Sequence, residues 1–352
     1  MTRAFWAPGR VNLIGEHTDY SGGLVLPAAL QLGVRIEGVA ADRIALRSDG
    51  AEETVDVDPS GGDASGWGRY VAAVAAELAA LGRPPVGLDG SVSSSVPIGA
   101  GLASSAALEI AVGTALCGVA EFSLEPVELA LAAQRAEQRA VGVPCGIMDQ
   151  AVSVLGVAGH AILLDTASLE HEAIPLPAEL AIVIVDSAVR HQLEGSGYAD
   201  RRRELEEALV VLDGRRPSDV EPDEAAELAE GLDSLHARRL RHVVTENARV
   251  REVVAVLRET PLDRGRLGTL FREGHESLRD DYDVSTPELD LLVDLAYRAG
   301  AVAARMTGGG FGGSIVALVE RERAEAVAEQ IVAAYPAGEA VVSTAAGGAR
   351  EL

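Results

Sequence analysis

The chain has 352 residues, 48% of them hydrophobic, which is enough apolar material for a large core in two domains and too much for a disordered polypeptide. Its formal net charge of −24 opposes phosphate backbones and anionic lipid, so neither nucleic-acid nor membrane partners are expected. No lysine occurs anywhere, which excludes a lysine-bearing P-loop, the strand lysine of protein kinases and any Schiff-base lysine.

At the start of the chain Pro8, Gly9 and Arg10 fall too early for the apolar run of a secretory leader, and none is expected. The run APGRVNLIGEHTDYSGG crowds Arg10, Glu16, His17, Asp19 and Tyr20 among hydrophobic residues and glycines. It reads either as a salt-bridged, capped turn or as a surface that recognises a ligand bearing many hydroxyls. Residues 24–30, 34–40 and 44–48 read as strands, 67–81 as an amphipathic helix and 86–94 as a further strand. Residues 95–120 come nearest to a membrane span, but Pro97, Gly99 and Gly101 break the first third, so a buried loop and helix are expected.

That break is itself a candidate site. Gly99, Ala100, Gly101, Leu102, Ala103, Ser104 and Ser105 join a strand to a helix over 103–116. Glycines admit close backbone approach and a helix N-terminus offers unpaired N–H groups, so the loop suits a triphosphate without lysine; a tight turn with serine caps is the plainer alternative. A helix over 126–141 leads into AEQRAVGVPCGIMDQ, where Glu137 and Asp149 flank one Val-Pro-Cys-Gly bend. Phosphoryl transfer needs one carboxylate for Mg²⁺ and another beside the attacking hydroxyl, and one bend can supply both; the plainer alternative is a pair of solvated or helix-capping acids. Cys117 and Cys145 are too few for a disulfide framework, which fits a reducing, cytoplasmic location, and Cys145 reads as a small buried thiol.

Residues 160–165 and 180–186 are short apolar strands, and a domain boundary is placed near Ala178, giving domains 1–178 and 179–352. Helices dominate from 198 to about 300, with a charged, proline-containing connection at 215–223. Strands at 301–306, 314–319 and 340–344, with a helix over 320–334, make an α+β tail in which helices cover one face of a sheet. Within it, MTGGGFGGSIVALV holds more glycines than a hairpin requires, pointing to close approach of a ligand or another loop.

Taken in order, GRVNLIGEHTDYSGG, PIGAGLASSAALE, PCGIMDQ and TGGGFGGS resemble the successive motifs of galactokinases within the GHMP small-molecule kinases. HVVTENARV near Val243 and SLRDDYDVSTPELD near Ser277 extend the likeness, which spans roughly residues 7–319. The resemblance implies an α+β two-domain GHMP kinase fold, with a left-handed βαβ element in the N-terminal domain, a ferredoxin-like C-terminal domain and the site between them. It implies ATP and Mg²⁺, with D-galactose phosphorylated at its anomeric hydroxyl by a monomer or weak homodimer. Asp149 matches the catalytic aspartate and Arg10 its cationic partner. Glu16, His17, Asp19, Gly146 and Tyr198 match sugar-contacting positions; Ser105 and Glu137 match the Mg²⁺ ligands, and residues 99–105 the phosphate cradle.

These roles agree with the chemistry of the residues, because a carboxylate beside an arginine stays ionised and can receive a hydroxyl proton. It is a weak base, but in a loose transition state the nucleophile loses its proton late, so positioning contributes most. Ala103 stands where galactokinases usually have another serine, and Ser21 replaces a common asparagine; both leave room for altered sugar preference. Glu109, one turn after Ser105, competes as a metal ligand with a plainer role in helix packing. The alternatives are a kinase for another acceptor, such as N-acetylgalactosamine or arabinose, and a kinase-dead sensor of galactose and ATP.

Overall fold

The computed structural model describes residues 1–142, 145–190 and 194–352. Strand β1 (Arg3–Asn12) leads through the short β2 (Leu24–Val25) into β3 (Pro27–Ala41), β4 (Ile44–Ser48) and β5 (Ala51–Val57). Helix α1 (Gly68–Ala80), strand β6 (Gly87–Ser94) and helices α2 (Ser104–Val119), α3 (Pro126–Val141) and α4 (Met148–Leu155) follow. The expected strands at 24–30 and 34–40 are thus mainly one long strand. Gly33 does not turn the chain; a Cβ there would stand 2.4 Å from Trp6 Nε1, so glycine lets the indole lie across β3.

The first sheet has the order β13-β1-β3-β6-β4-β5, where β13 (Arg350–Glu351) returns from the far end of the chain. Its β4–β6 pairing is parallel and is bridged by β5 and α1, a βαβ crossover. Alternate residues such as Phe5, Ile36, Leu46 and Val55 face α1, α2 and α3, forming one core cluster with Val71, Leu78, Ile110 and Leu116. A small sheet of β2, β7 (His160–Asp165) and β8 (His171–Pro175) packs beside α4.

The second sheet begins with β9 (Leu180–Arg190). Helices α5 (Glu194–Ala208), α6 (Pro222–Ala229), α7 (Ser234–Leu257), α8 (Arg264–Asp280) and α9 (Pro287–Ala299) come next. Their starts are chemically marked: the carboxylates of Asp233 and Asp263 accept from first-turn N–H groups of α7 and α8, and Thr286 caps α9 ahead of Pro287. Then come β10 (Ala303–Thr307), β11 (Gly312–Glu320), α10 (Ala324–Ala334) and β12 (Glu339–Ser343). The order β10-β11-β9-β12, antiparallel at each pairing, with α9 and α10 as its crossover helices, is the ferredoxin-like arrangement.

The expectation of helices on one face needs correction. Val183, Val185, Met306 and Ile315 face α7, α9 and α10, but Ile182, Ile184, Val316 and Leu318 face the first lobe. There they join Val11, Leu13, Leu26 and Leu30 of β1–β3 and Phe271 of α8 in a cluster common to both lobes. The sheet is therefore covered on both sides, because its strands are apolar at successive as well as alternate positions.

Phe271 is fully buried in this shared cluster. Phe271→Ala is expected to cost about 3–5 kcal/mol of unfolding free energy by denaturant titration. A loss under about 1 kcal/mol would mean the cluster does not join the lobes as described.

Candidate active site

The loop between β6 and α2 alternates left-handed residues, Gly99 (φ +76°), Gly101 (φ +75°) and Ala103 (φ 58°), and so exposes successive backbone groups. Both lobes pin it. The Leu102 carbonyl accepts from Arg10 N at 3.1 Å and the Ala100 carbonyl from Ser314 Oγ at 2.7 Å. Gly9 is required beneath it, since a Cβ there would lie 2.7 Å from the Leu102 oxygen. Ala103 precedes α2 without a side-chain cap, so the first-turn N–H groups have no acceptor from it, and Ser104 and Ser105 line a cavity of about 340 Å³.

Facing this loop is the β10–β11 hairpin, whose Gly308, Gly309 and Gly310 line the same cavity. Both sequence readings of that stretch hold. It is a hairpin, and Cβ atoms at Gly310 and Gly312, both left-handed, would lie 2.4 Å from the Val284 carbonyl and 2.5 Å from that of Val189. Gly309 approaches the Tyr198 ring.

A second cavity of about 170 Å³ adjoins the first and is lined by Glu16, His17, Asp19, Glu137 and Gly146. Arg10, Asp149, Tyr198, Gly308 and Gly309 line both. Asp149, expected just after the Val-Pro-Cys-Gly bend, sits in the first turn of α4, a helix not expected from the sequence; Val143 and Pro144 of that bend lie outside the described residues. Arg10, 6% exposed, holds Asp149 through two parallel bonds of 2.8 Å, Nε to Oδ1 and Nη2 to Oδ2, while Nη1 donates to the Gly101 carbonyl at 2.5 Å. Gly146 is where Asp19 fits: a Cβ would fall 1.8 Å from Asp19 Oδ2.

Burial sets the protonation of the smaller cavity. It pushes Glu16 up to about 7 against the pull of Arg305, and Asp19 up to about 6 with help from Asp149. It holds His17 down at about 3, reinforced by His242, so the imidazole is neutral. Glu16 Oε2 meets Arg305 at 2.9 Å, and Arg305, wholly buried, meets Glu246 Oε1 at 2.6 Å. Burial alone would raise Glu246, but Arg305 and Arg249 outweigh it and hold this carboxylate below the usual range.

Glu137 of α3 accepts from Ser105 Oγ at 2.7 Å. Gln150 Nε2 donates to its other oxygen at 2.6 Å and approaches Glu109 Oε2 at 3.1 Å. Glu109 is wholly buried in α2 and raised to about 9 by burial and then by Glu137, so it packs as a neutral acid; it lines neither cavity. Ser105 and Glu137 offer hard oxygen donors suited to Mg²⁺, leaving most of an octahedral shell to water and phosphate. Among the described residues no group of three or more His, Cys, Asp or Glu is arranged to hold an ion unaided. Cys145 is half-buried and its thiol is pushed up by burial and by Glu137, which makes it inert.

The structure thus gathers Arg10, Glu16, His17, Asp19, Glu137, Gly146, Asp149 and Tyr198 around the smaller cavity, and Gly99, Gly101, Leu102, Ala103, Ser104 and Ser105 around the larger. Ala100 turns inward, buried under the loop. Sequence reasoning missed Gln150, Glu246, Tyr282 and Arg305. Their signals were present: Gln150 follows Asp149, Arg305 closely precedes the second glycine loop, and Glu246 and Tyr282 lie in HVVTENARV and SLRDDYDVSTPELD.

Comparison with known proteins agrees with this geometry. Residues 2–38 match the galactokinase galactose-binding signature, 69–157 the GHMP kinases N terminal domain and 253–337 the GHMP kinases C terminal. A galactokinase of Chloroflexus aggregans is 44% identical over 348 residues, 95% of this chain and 88% of the relative. The crystal structure of Lactococcus lactis galactokinase complexed with galactose superposes with a TM-score of 0.92 at 30% identity, covering 100% of this chain and 95% of that one. Mevalonate kinase of Methanococcus jannaschii, at 19% identity and a TM-score of 0.73 over 98% of each chain, shares the fold. With the ordered motifs, the paired cavities and these likenesses together, the chain belongs to the galactokinases of the GHMP kinase family.

Proposed function

We propose that this protein transfers the γ-phosphoryl group of ATP to the anomeric hydroxyl of D-galactose, giving galactose 1-phosphate and ADP. The observation that carries the proposal is Asp149, gripped by Arg10, on the wall common to a glycine-lined cavity and a small polar one. The larger cavity takes the triphosphate, with the N-terminus of α2 and the backbone of residues 99–105 holding its oxygens. Glu16, His17, Asp19 and Tyr198 take the sugar hydroxyls in the smaller one, and Gly146 leaves space for Asp19. Ser105 and Glu137 would hold Mg²⁺, whose chemistry when bound is to neutralise phosphoryl oxygens.

Asp149 orients the attacking hydroxyl and accepts its proton late, and Arg10 holds the carboxylate in place through two parallel hydrogen bonds. Both cysteines are free, in keeping with the reducing cytoplasm, and no helix among the described residues is long and apolar enough to cross a membrane. The same proposal takes residues 1–178 and 179–352 as the two domains, the enzyme as a monomer or weak homodimer, and ATP, Mg²⁺ and sugar as its ligands.

Pure protein with Mg²⁺, ATP and galactose should release ADP in step with galactose 1-phosphate; ADP release independent of sugar would reject the proposal. Asp149→Asn is expected to lower kcat by about 10²-fold or more while galactose affinity stays within a few-fold. Glu137→Ala should chiefly raise the Mg·ATP requirement, and unchanged rates in both variants would show that the site is misassigned. The ionised forms of Glu16 and Asp19 are the better acceptors for sugar hydroxyls. With these groups raised to about 7 and 6, kcat/KM for galactose should fall as pH drops from 7.5 to 5.5. A flat profile over that range would contradict their role.

A further inference from the structure

His17 is held from behind by two tyrosines that no sugar-site role has absorbed. Its Nδ1 lies 2.9 Å from Tyr20 Oη, and Tyr20 Oη lies 2.8 Å from Tyr282 Oη. The Tyr282 ring, fully buried, is stacked at a tilt between His17 (4.7 Å) and His242 (4.6 Å). On the other side His17 Nε2 is buried with no full hydrogen bond to protein, only a loose approach to the Gly309 backbone, and the residue lines the smaller cavity.

Hydrogen counting gives this chain a direction. Among the described residues the Tyr282 hydroxyl has a single hydrogen-bond partner, Tyr20, and an unused O–H in a dry interior is costly. Tyr282 therefore donates to Tyr20, and Tyr20, its oxygen already accepting, donates its own hydrogen to His17 Nδ1. A neutral imidazole that accepts at Nδ1 carries its proton on Nε2. In the reverse order the Tyr282 hydrogen would have no acceptor.

We propose that Tyr282, acting through Tyr20, is a positioning residue that fixes His17 as an Nε2–H donor to a sugar hydroxyl, setting acceptor affinity without touching the acceptor. This rests on the smaller cavity being the galactose site. Tyr282 stands in the turn after α8, and two residues on the Val284 carbonyl accepts from Phe311 N at 2.7 Å. One turn thus supports both the sugar-facing histidine and the second glycine loop.

The test combines ¹⁵N NMR of histidine-labelled protein, free of substrates at pH 7.5, with steady-state kinetics. His17 in the unmodified protein should show a protonated Nε2 and a bare Nδ1. Tyr282→Phe keeps the ring but lets Tyr20 accept from Nδ1–H, so both tautomers should appear. Galactose KM should then rise by the inverse of the Nε2–H fraction that remains, about twofold if the two tautomers are equally populated, with kcat and the ATP KM unchanged. Tyr20→Phe removes the whole relay and should raise galactose KM at least as much, which keeps the test open if the first variant folds poorly. A proton on Nδ1 in the unmodified protein, or an unchanged galactose KM in both variants, would overturn the proposal. Absence of galactose turnover in the unmodified protein would instead overturn the functional reading above, since the tautomer measurement needs no substrate.

Discussion

The guanidinium of Arg10 is a buried cation whose donors are divided between two tasks. Two N–H groups hold Asp149 in a planar fork and a third holds the Gly101 carbonyl. A desolvated charge of this kind persists only where its partners are fixed, and losing either side would leave an uncompensated ion in the interior. The spacing between carboxylate and phosphate loop is therefore set by one rigid group. Lysine has no such fork, so arginine at position 10 is what allows this geometry.

A second buried network does the same work deeper in the molecule. Arg305 joins Glu16 of the first lobe to Glu246 of α7, and Glu246 also accepts from Gly15 N at 2.9 Å and from Arg249 Nε at 2.9 Å. Gly274, in the middle of α8, is explained by it, because a Cβ there would fall 2.4 Å from Arg305 Nη1. Such networks contribute little net stability for their desolvation cost; here the return is position, since Arg305 stands in β10 three residues before Gly308.

Much of this was legible in the sequence because local chemistry and global placement agree. α3 begins and ends where its proline start and apolar period place it, and β7 matches its apolar run. Residue type alone singled out the first loop and the Glu137–Asp149 pair as candidates, while their roles came only with the ordered motifs and the resemblance they carry. β1 was not read as a strand, because Pro8 and Gly9 interrupt its alternation; the interruption serves the loop packed above Gly9. The sequence also left residues 31–33 between two strands, although Gly33 continues β3 and its role is contact with Trp6. Glu246, Tyr282 and Arg305 were out of reach in a different way. Each acts through partners distant in the chain, and nothing local distinguishes a buried arginine in a strand from an exposed one.

The cluster shared by the two lobes constrains how substrates enter. Leu13, Leu26, Ile184, Val316 and Phe271 are packed as one interior, so swinging the lobes apart would expose a dry core to water at every catalytic cycle. The parts of the site wall outside that interior include the glycine hairpin, which lines the larger cavity. Admitting substrates by rearranging single loops would expose far less apolar surface than a clamshell hinge between the lobes.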